Sequence, residues 1–243
     1  MAPPSSPEGD LATRLAVLLG KERALYLRLH EFNLLPSRNL DTSWHGELFP
    51  AAMQPLLARS DALDARAHRW LSAYLLQTPR LAGEGFWSPS TALSLALLAP
   101  PALMDLARRI GVALASGTLR SLLAGRGAAQ ARHSLGESLH EFALQRAPLL
   151  ITRAELEAAA GLGGKVEAAD LAPGVERVGI AALRAAWEAE GLWPRASLKL
   201  PRALATAAEA APILQAATAS RVAQRIAREG ILEWHTSSAP AAA

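Results

Sequence analysis

Two His-Glu pairs, His30-Glu31 and His140-Glu141, are the residues in the sequence that most directly suggest metal chemistry. A helical zinc site needs a second histidine four residues after the first, so that both imidazoles reach one ion from one helix face. Those positions hold Leu34 and Leu144. We therefore expect no metal site and interpret both histidines as solvated side chains on amphipathic helices.

The glycine-rich stretch 161–165 resembles a phosphate-binding loop only superficially. Such a loop has a glycine five residues before its second glycine and a serine or threonine after its lysine, whereas this chain has Ala159 and Val166. Paired carboxylates lie in first helical turns or at a helix end, where the helix dipole or solvent accounts for them. From these residues we expect none of the groups to be catalytic and no cofactor to be bound. An enzyme whose site is assembled from distant residues stays open as an alternative.

Tryptophan and arginine are the residue types most typical of protein-binding surfaces. Trp70 and Trp187 lie on the apolar stripes of predicted helices, and we expect both in the core. The other tryptophans lie in turns or near a terminus, where they either fill the core or anchor a partner (Trp44, Trp87, Trp193 and Trp234). Trp44, its neighbour His45, and Trp193 are candidate partner-binding residues.

A row of arginines at helical spacing is the third candidate site. Arg221, Arg225 and Arg228 share one face of a helix predicted over 220–229. This face is either a solvated surface or a docking site for an acidic partner protein. We expect charge reversal at all three positions to weaken such a contact without unfolding the chain. The formal net charge is only +3 and no segment is densely basic, so we expect no binding to nucleic acid.

The elements that must position these residues are helical. The chain has 243 residues, is 51% hydrophobic and lacks cysteine, which excludes disulfide scaffolds, iron–sulfur clusters and thiol catalysis. Apolar spacing predicts a mainly α, multi-helix orthogonal bundle. At most a short β-hairpin is expected near residues 195–202, because Leu198–Pro201 alternates like a strand. The clearest helix is predicted over 61–77, and capping boxes are predicted at Ser134–Glu137 and Thr152–Glu155.

One mainly helical domain is predicted over residues 10–234, with a possible subdomain seam at 161–174 and disordered ends at 1–9 and 235–243. The first ten residues are Pro- and Ser-rich and acidic, unlike a signal peptide. We see no uninterrupted apolar stretch of the ~20 residues that a membrane span requires. A cytoplasmic location is therefore expected.

Three ordered stretches of the sequence resemble one protein family. The first comprises Glu31–Pro36 and Asp41–Trp44, and the second comprises Leu106–Arg120 and Phe142–Leu150. The third runs from Gly179 to Trp187 and from Pro194 to Pro201. In this order the stretches resemble the SctK family (YscK, MxiK and OrgA), the sorting-platform adaptors of bacterial type III secretion injectisomes. The Ala-rich segment 203–219 departs from the family pattern.

The resemblance implies a non-enzymatic adaptor at the cytoplasmic face of the inner membrane. Such an adaptor links the cytoplasmic domain of the inner-membrane ring protein SctD to pods of SctQ, which connect through SctL to the ATPase SctN. The alternatives are a generic helical binding module such as a secretion chaperone, or a DNA-binding regulator. Affinity for DNA would fall steeply with added salt.

Overall fold

The computed structural model describes residues 20, 22–58, 64–83, 85–88, 90–123, 128–162, 170–212 and 214–237. These residues form α-helices joined by turns and short 3₁₀ segments, and they contain no β-strand, which confirms the predicted mainly α fold. The helices are α1 (Arg23–Leu34), α2 (His45–Leu48), α3 (Gln54–Leu57), α4 (Ala65–Leu76), α5 (Thr91–Ala96), α6 (Pro100–Leu114), α7 (Ser116–Leu123), α8 (Ala128–Leu135), α9 (Glu137–Gln145), α10 (Ala147–Leu150), α11 (Arg153–Ala159), α12 (Leu171–Glu188), α13 (Trp193–Ala196), α14 (Arg202–Ala210) and α15 (Ala216–Ser237).

Helices α6 and α12 cross at the centre of the core, and each contributes a glycine to the crossing. A Cβ atom added to Gly179 would lie 1.7 Å from the carbonyl oxygen of Ala107, and one added to Gly111 would lie 1.9 Å from that of Val175. Any side chain at either position would therefore collide with backbone, so only glycine allows this close approach. Helix α12 also packs against α14 and α15, and α15 packs against α6.

Helix α4 is fixed at its start and along one face. The Asp64 side chain accepts hydrogen bonds from the backbone N–H groups of Arg66 and Ala67 and so caps the helix. Leu71, Ser72 and Leu75 are buried. A 3₁₀ turn, Pro36–Asn39, follows α1 and packs on α4, where Ser37 Oγ donates to the carbonyl oxygen of His68 at 2.9 Å. The helix predicted over 61–77 is thus present but shorter, since it begins after its cap Asp64 and ends at Leu76, and residues 61–63 lie outside the described part of the chain.

The two predicted capping boxes differ in outcome. Thr152 and Glu155 form the reciprocal pair at the start of α11, which confirms that prediction. The box at Ser134–Glu137 is wrong, since Ser134 lies inside α8 and Gly136, at φ 79°, separates α8 from α9. Gly136 adopts the left-handed conformation that breaks a helix there.

The strand and hairpin expected near 195–202 are also wrong. Helix α13 is followed there by a 3₁₀ turn, Ser197–Lys199, and the N–H of Leu200 donates back to the carbonyl oxygen of Ser197 at 3.0 Å. Alternation predicts a strand only when the polar residue faces solvent. Here Lys199 is buried together with Leu198 and Leu200, so the alternation does not reflect two faces of a sheet.

The domain boundaries predicted from the sequence stay predictions. Residues 1–9 lie outside the described part of the chain, as do 163–169 of the expected seam and 238–243 of the tail. Helix α12 begins at Leu171, inside the expected seam, and α15 extends to Ser237. Across the described ranges, no helix has both the length and the apolar character of a membrane-spanning segment.

Candidate protein-binding surfaces

Trp44 lies in the interior of the protein. The side chain is 1% exposed, its indole Nε1 donates to the carbonyl oxygen of Leu200 at 2.9 Å, and the guanidinium carbon of Arg80 lies 4.5 Å from the ring centroid. Binding of a partner by Trp44 stays a prediction, and it would require the indole to leave this packing.

His45 and Trp193 are also held by contacts within the chain. The His45 ring packs edge-on against Phe49, with centroids 6.0 Å apart. Burial lowers the pKa of His45, against a smaller opposing effect of Asp41. Trp193 stacks on Trp187 and donates its indole N–H to the Glu209 carboxylate at 3.1 Å. Trp193 is buried in this arrangement, whereas His45 is half-buried.

The segment Trp193–Leu200, called here the 193–200 segment, contains two buried cations. Arg195 is 7% exposed and donates to the carbonyl oxygens of Asn33, at 2.8 Å, and Leu81, at 3.3 Å. Lys199 is 6% exposed and donates to the carbonyl oxygens of Ala96, at 2.8 Å, and Leu98, at 3.0 Å. These bonds connect the segment to α1, to the turn after α4 and to α5.

Neither cation forms an ion pair with a carboxylate among the described residues, so burial dominates their electrostatics. It lowers the pKa of Lys199 to about 8 and also lowers the pKa of Arg195. The rings of Phe32 and Phe86 lie 5.3 Å from the Lys199 Nζ and 5.9 Å from the Arg195 guanidinium carbon. Because both side chains bond only to main-chain carbonyls, we interpret them as internal connectors rather than as reactive groups.

The three arginines predicted to form a row on α15 have different surroundings. Arg225 donates to both carboxylate oxygens of the buried Glu155, at 3.0 and 3.2 Å, and also to the carbonyl oxygen of Leu150. Arg221 and Arg228 are exposed and have no carboxylate partner among the described residues. Partner binding by the three arginines stays a prediction, and Arg225, unlike the other two, would have to keep or give up its bonds to Glu155 in such a contact.

The Glu155 carboxyl shows how Arg225 stabilises this part of the interior. Burial by itself raises the pKa of Glu155, but hydrogen bonds from Arg225 and Thr152 outweigh that effect, and the net pKa lies below its ordinary value. The ion pair is thus favourable in the folded chain. It joins α11 to α15.

Exposed leucines lie next to this part of α15. Leu149 on α10 is 82% exposed and Leu144 on α9 is 50% exposed. Helix α10 packs against α15, and Arg146, between the two leucines in sequence, pairs with Glu229 of α15 at 3.0 Å. We call the set Leu144, Leu149, Arg221 and Arg228 the α10–α15 surface. It combines apolar side chains with two arginines that have no carboxylate partner among the described residues.

Trp70, which the periodicity of α4 predicted to be in the core, is 57% exposed, so that prediction is wrong. The core prediction for Trp187 is confirmed, since this side chain is fully buried with its indole N–H on the carbonyl oxygen of Ala92. Helix α4 buries a narrow stripe centred on Leu71 and Leu75, and Trp70 lies about 100° around the helix from Leu71.

Trp87 is half-buried, and the side chain of Trp234 lies outside the described part of the chain.

No group of three or more His, Asp and Glu side chains among the described residues is arranged to hold a metal ion. A cavity of about 360 Å³ lies between α6, α8, α9 and α12, and the ion pair of Arg108 with Glu176 forms part of its wall. Arg108 and Glu176 are thus paired with each other, and His133 and Ser134 are the other polar side chains that line the cavity.

Comparison with known proteins gives one match. Residues 26–232 match the protein family described as YOP proteins translocation protein K (YscK). No curated protein and no solved structure matches the chain.

Proposed function

The chain belongs to the YscK family of type III secretion proteins, as the resemblance predicted, and we propose that it acts as a non-enzymatic adaptor of the injectisome. In this proposal it works at the cytoplasmic face of the inner membrane. It bridges the cytoplasmic domain of the ring protein SctD to SctQ, and through SctQ to SctL and the ATPase SctN.

The α10–α15 surface is the observation that carries the proposal. Leu149 projects into solvent from a short helix that is fixed to α15 through the contacts of Arg225 and Arg146 with Leu150 and Glu229. An apolar side chain held rigidly in water loses little conformational freedom when a partner covers it. The neighbouring arginines favour a partner whose contact surface is acidic.

The proposed adaptor role also agrees with the contacts of the buried ionisable side chains, which are the groups that could otherwise serve in catalysis. The buried Lys199 and Arg195 bond to main-chain carbonyls, and the buried Glu155 pairs with Arg225. These groups hold the helices in place, which leaves the outward side chains to make contacts with other proteins.

Calorimetry with purified SctD cytoplasmic domain and purified SctQ from the same bacterium tests the proposal. We expect the full chain to bind both. Leu149→Ser and Arg228→Glu should each weaken one of the two complexes by at least about tenfold. Leu27→Ser is the control, because Leu27 is also an exposed leucine, at 50%, but lies on α1. A wild-type chain that binds neither protein would overturn the proposed function.

A further inference from the structure

We propose that the outward face of α4, formed by Arg66, Arg69 and Trp70 and called here the α4 surface, docks an acidic segment of a partner protein. The inference rests on the proposed function, because a bridging adaptor needs a second contact besides the α10–α15 surface. It assigns that contact to a place in the fold and gives the chemistry of its partner.

The first argument is the exposure of an indole on a rigid helix. Trp70 is 57% exposed although tryptophan is among the side chains that gain most from burial. Helix α4 is capped by Asp64, and the Ser37 hydroxyl bonds it to the turn after α1. Trp70 is therefore presented on a fixed scaffold, which reduces the entropy lost when a partner covers it.

The second argument is charge complementarity. Arg66 lies four residues before Trp70 and Arg69 lies one residue before it, and both are exposed with no ion pair among the described residues. Helix α4 itself contains no carboxylate, and the nearest one in sequence, Asp64, is engaged by the backbone N–H groups that it caps. Two arginines beside an exposed indole thus fit carboxylates that flank an apolar side chain on the partner.

The partner is a protein segment rather than a lipid surface. A helix that lies on a membrane presents a continuous apolar stripe outwards, together with a basic polar face. In α4 the apolar stripe, Leu71 and Leu75, faces the core, and Trp70 is the single large apolar side chain on the outward side. Ala73, one turn beyond Trp70, is small and exposed, which leaves space beside the indole for a side chain of the partner.

Two variants on the full chain test the inference, Trp70→Ser and the double variant Arg66→Glu/Arg69→Glu. The probes are the two purified proteins named above. We expect each variant to weaken one complex by at least about tenfold while the other complex keeps its wild-type affinity. The α10–α15 variants Leu149→Ser and Arg228→Glu serve as matched controls and should spare the complex that the α4 variants weaken. Unchanged melting temperatures show that the variants are folded, as expected for exposed positions.

Three results would overturn the inference while leaving the proposed function standing. In the first, the wild-type chain binds both proteins and the α4 variants do so with equal affinity. In the second, the wild-type chain binds vesicles of phosphatidylglycerol and phosphatidylethanolamine in a way that Trp70→Ser abolishes, so that the surface contacts lipid. In the third, sedimentation shows a dimer that Trp70→Ser dissociates, so that a second copy of the chain covers the surface.

Discussion

Helix α4 and the 193–200 segment contain the same residue types, tryptophan next to basic side chains, and use them in opposite ways. In α4 the indole of Trp70 and the guanidinium of Arg69 face solvent. In the 193–200 segment, Trp193, Arg195 and Lys199 are all buried and bonded to other parts of the chain. The comparison shows that residue type alone does not separate a binding surface from a structural connection.

The number of packed neighbours explains the difference. The 193–200 segment contacts three other parts of the chain, which are α1, α5 and the turn after α4. Even its charged side chains therefore donate hydrogen bonds to carbonyl oxygens of those elements. Helix α4 packs on α1 and the turn that follows it, and one side stays uncovered. We expect substitutions in the interior to change stability and substitutions on α4 to change binding.

The largest expected effect is at the crossing of α6 and α12. Gly179→Ala places a methyl group where the Ala107 carbonyl lies, so the helices must separate, and we expect the cooperative melting transition to be lost. Thermal unfolding followed by circular dichroism measures this. Gly117→Ala in α7 is the matched control, because a Cβ there meets nothing within 4 Å and alanine favours a helix. A normal melting transition for Gly179→Ala would show that α6 and α12 can move apart without loss of cooperative folding, which contradicts this prediction.

The next effect compares two tryptophans directly. Trp44→Ala leaves a cavity and an unbonded Leu200 carbonyl, and we expect it to lower the free energy of unfolding by about 3–5 kcal/mol. Trp70→Ala should lower it by less than about 1 kcal/mol, because the indole is mostly in water. Urea unfolding measures both values. Equal losses for the two variants would contradict the division between surface and interior.

Lys199 gives a pH-dependent signature of the interior. Its pKa is about 8 in the folded chain and about 10.5 when unfolded, so the unfolded state binds more protons between these pH values. Stability should therefore rise from pH 8 to 10.5, by about 3 kcal/mol if no other group intervenes. Urea midpoints across this range measure the rise. In Lys199→Met the rise should disappear, and its persistence would show that another group causes it.

The smallest effect separates two arginines of α15. Arg225→Gln leaves the buried Glu155 carboxylate without its partner and should cost about 1–3 kcal/mol at pH 7. Because the pKa of Glu155 is lowered below 4.5, its stabilising contribution is present above that pH and is lost as the pH falls through the lowered pKa. In Arg225→Gln the free energy of unfolding should therefore fall less than in the wild-type chain as the pH is lowered. Arg228→Gln is the control, and we expect it to change stability by less than about 0.5 kcal/mol. Equal losses in the free energy of unfolding for Arg225→Gln and Arg228→Gln would contradict the conclusion that Arg225 stabilises the interior and Arg228 does not.

Much of the fold could be predicted from the sequence because its determinants are local. The helical periodicity of residues 65–76 and the reciprocal pair Thr152–Glu155 depend on a few neighbouring residues. The width of a buried stripe depends on how many elements pack around a helix, and so the periodicity does not distinguish the exposed Trp70 from the buried Leu71 and Leu75. The alternation of Leu198–Pro201 predicts a strand because the local pattern does not show that Lys199 reaches the carbonyls of Ala96 and Leu98.

The candidate site was predicted less well for the same reason. The spacing of Arg221, Arg225 and Arg228 correctly places them on one helix. The partner of Arg225 is Glu155, 70 positions away, and no local pattern indicates it. One sign was present in the sequence of α4, which has two arginines beside a tryptophan and no carboxylate. The net positive charge of α4 is thus visible in the composition of that helix, although the whole chain is nearly neutral.

The bonds made by the 193–200 segment also bear on how the chain reaches its native state during synthesis. The Trp44 indole bonds to a carbonyl 156 positions later, and Arg195 bonds to a carbonyl 162 positions earlier. In a nascent chain emerging from the ribosome, these two bonds therefore cannot form until residues 195–200 have left the exit tunnel. Contacts of such long range slow folding. The packing of Trp44 and of the end of α1 is thus complete only after the 193–200 segment has been synthesised. Ribosome-bound fragments ending before residue 193 should therefore be cleaved by proteases near Trp44.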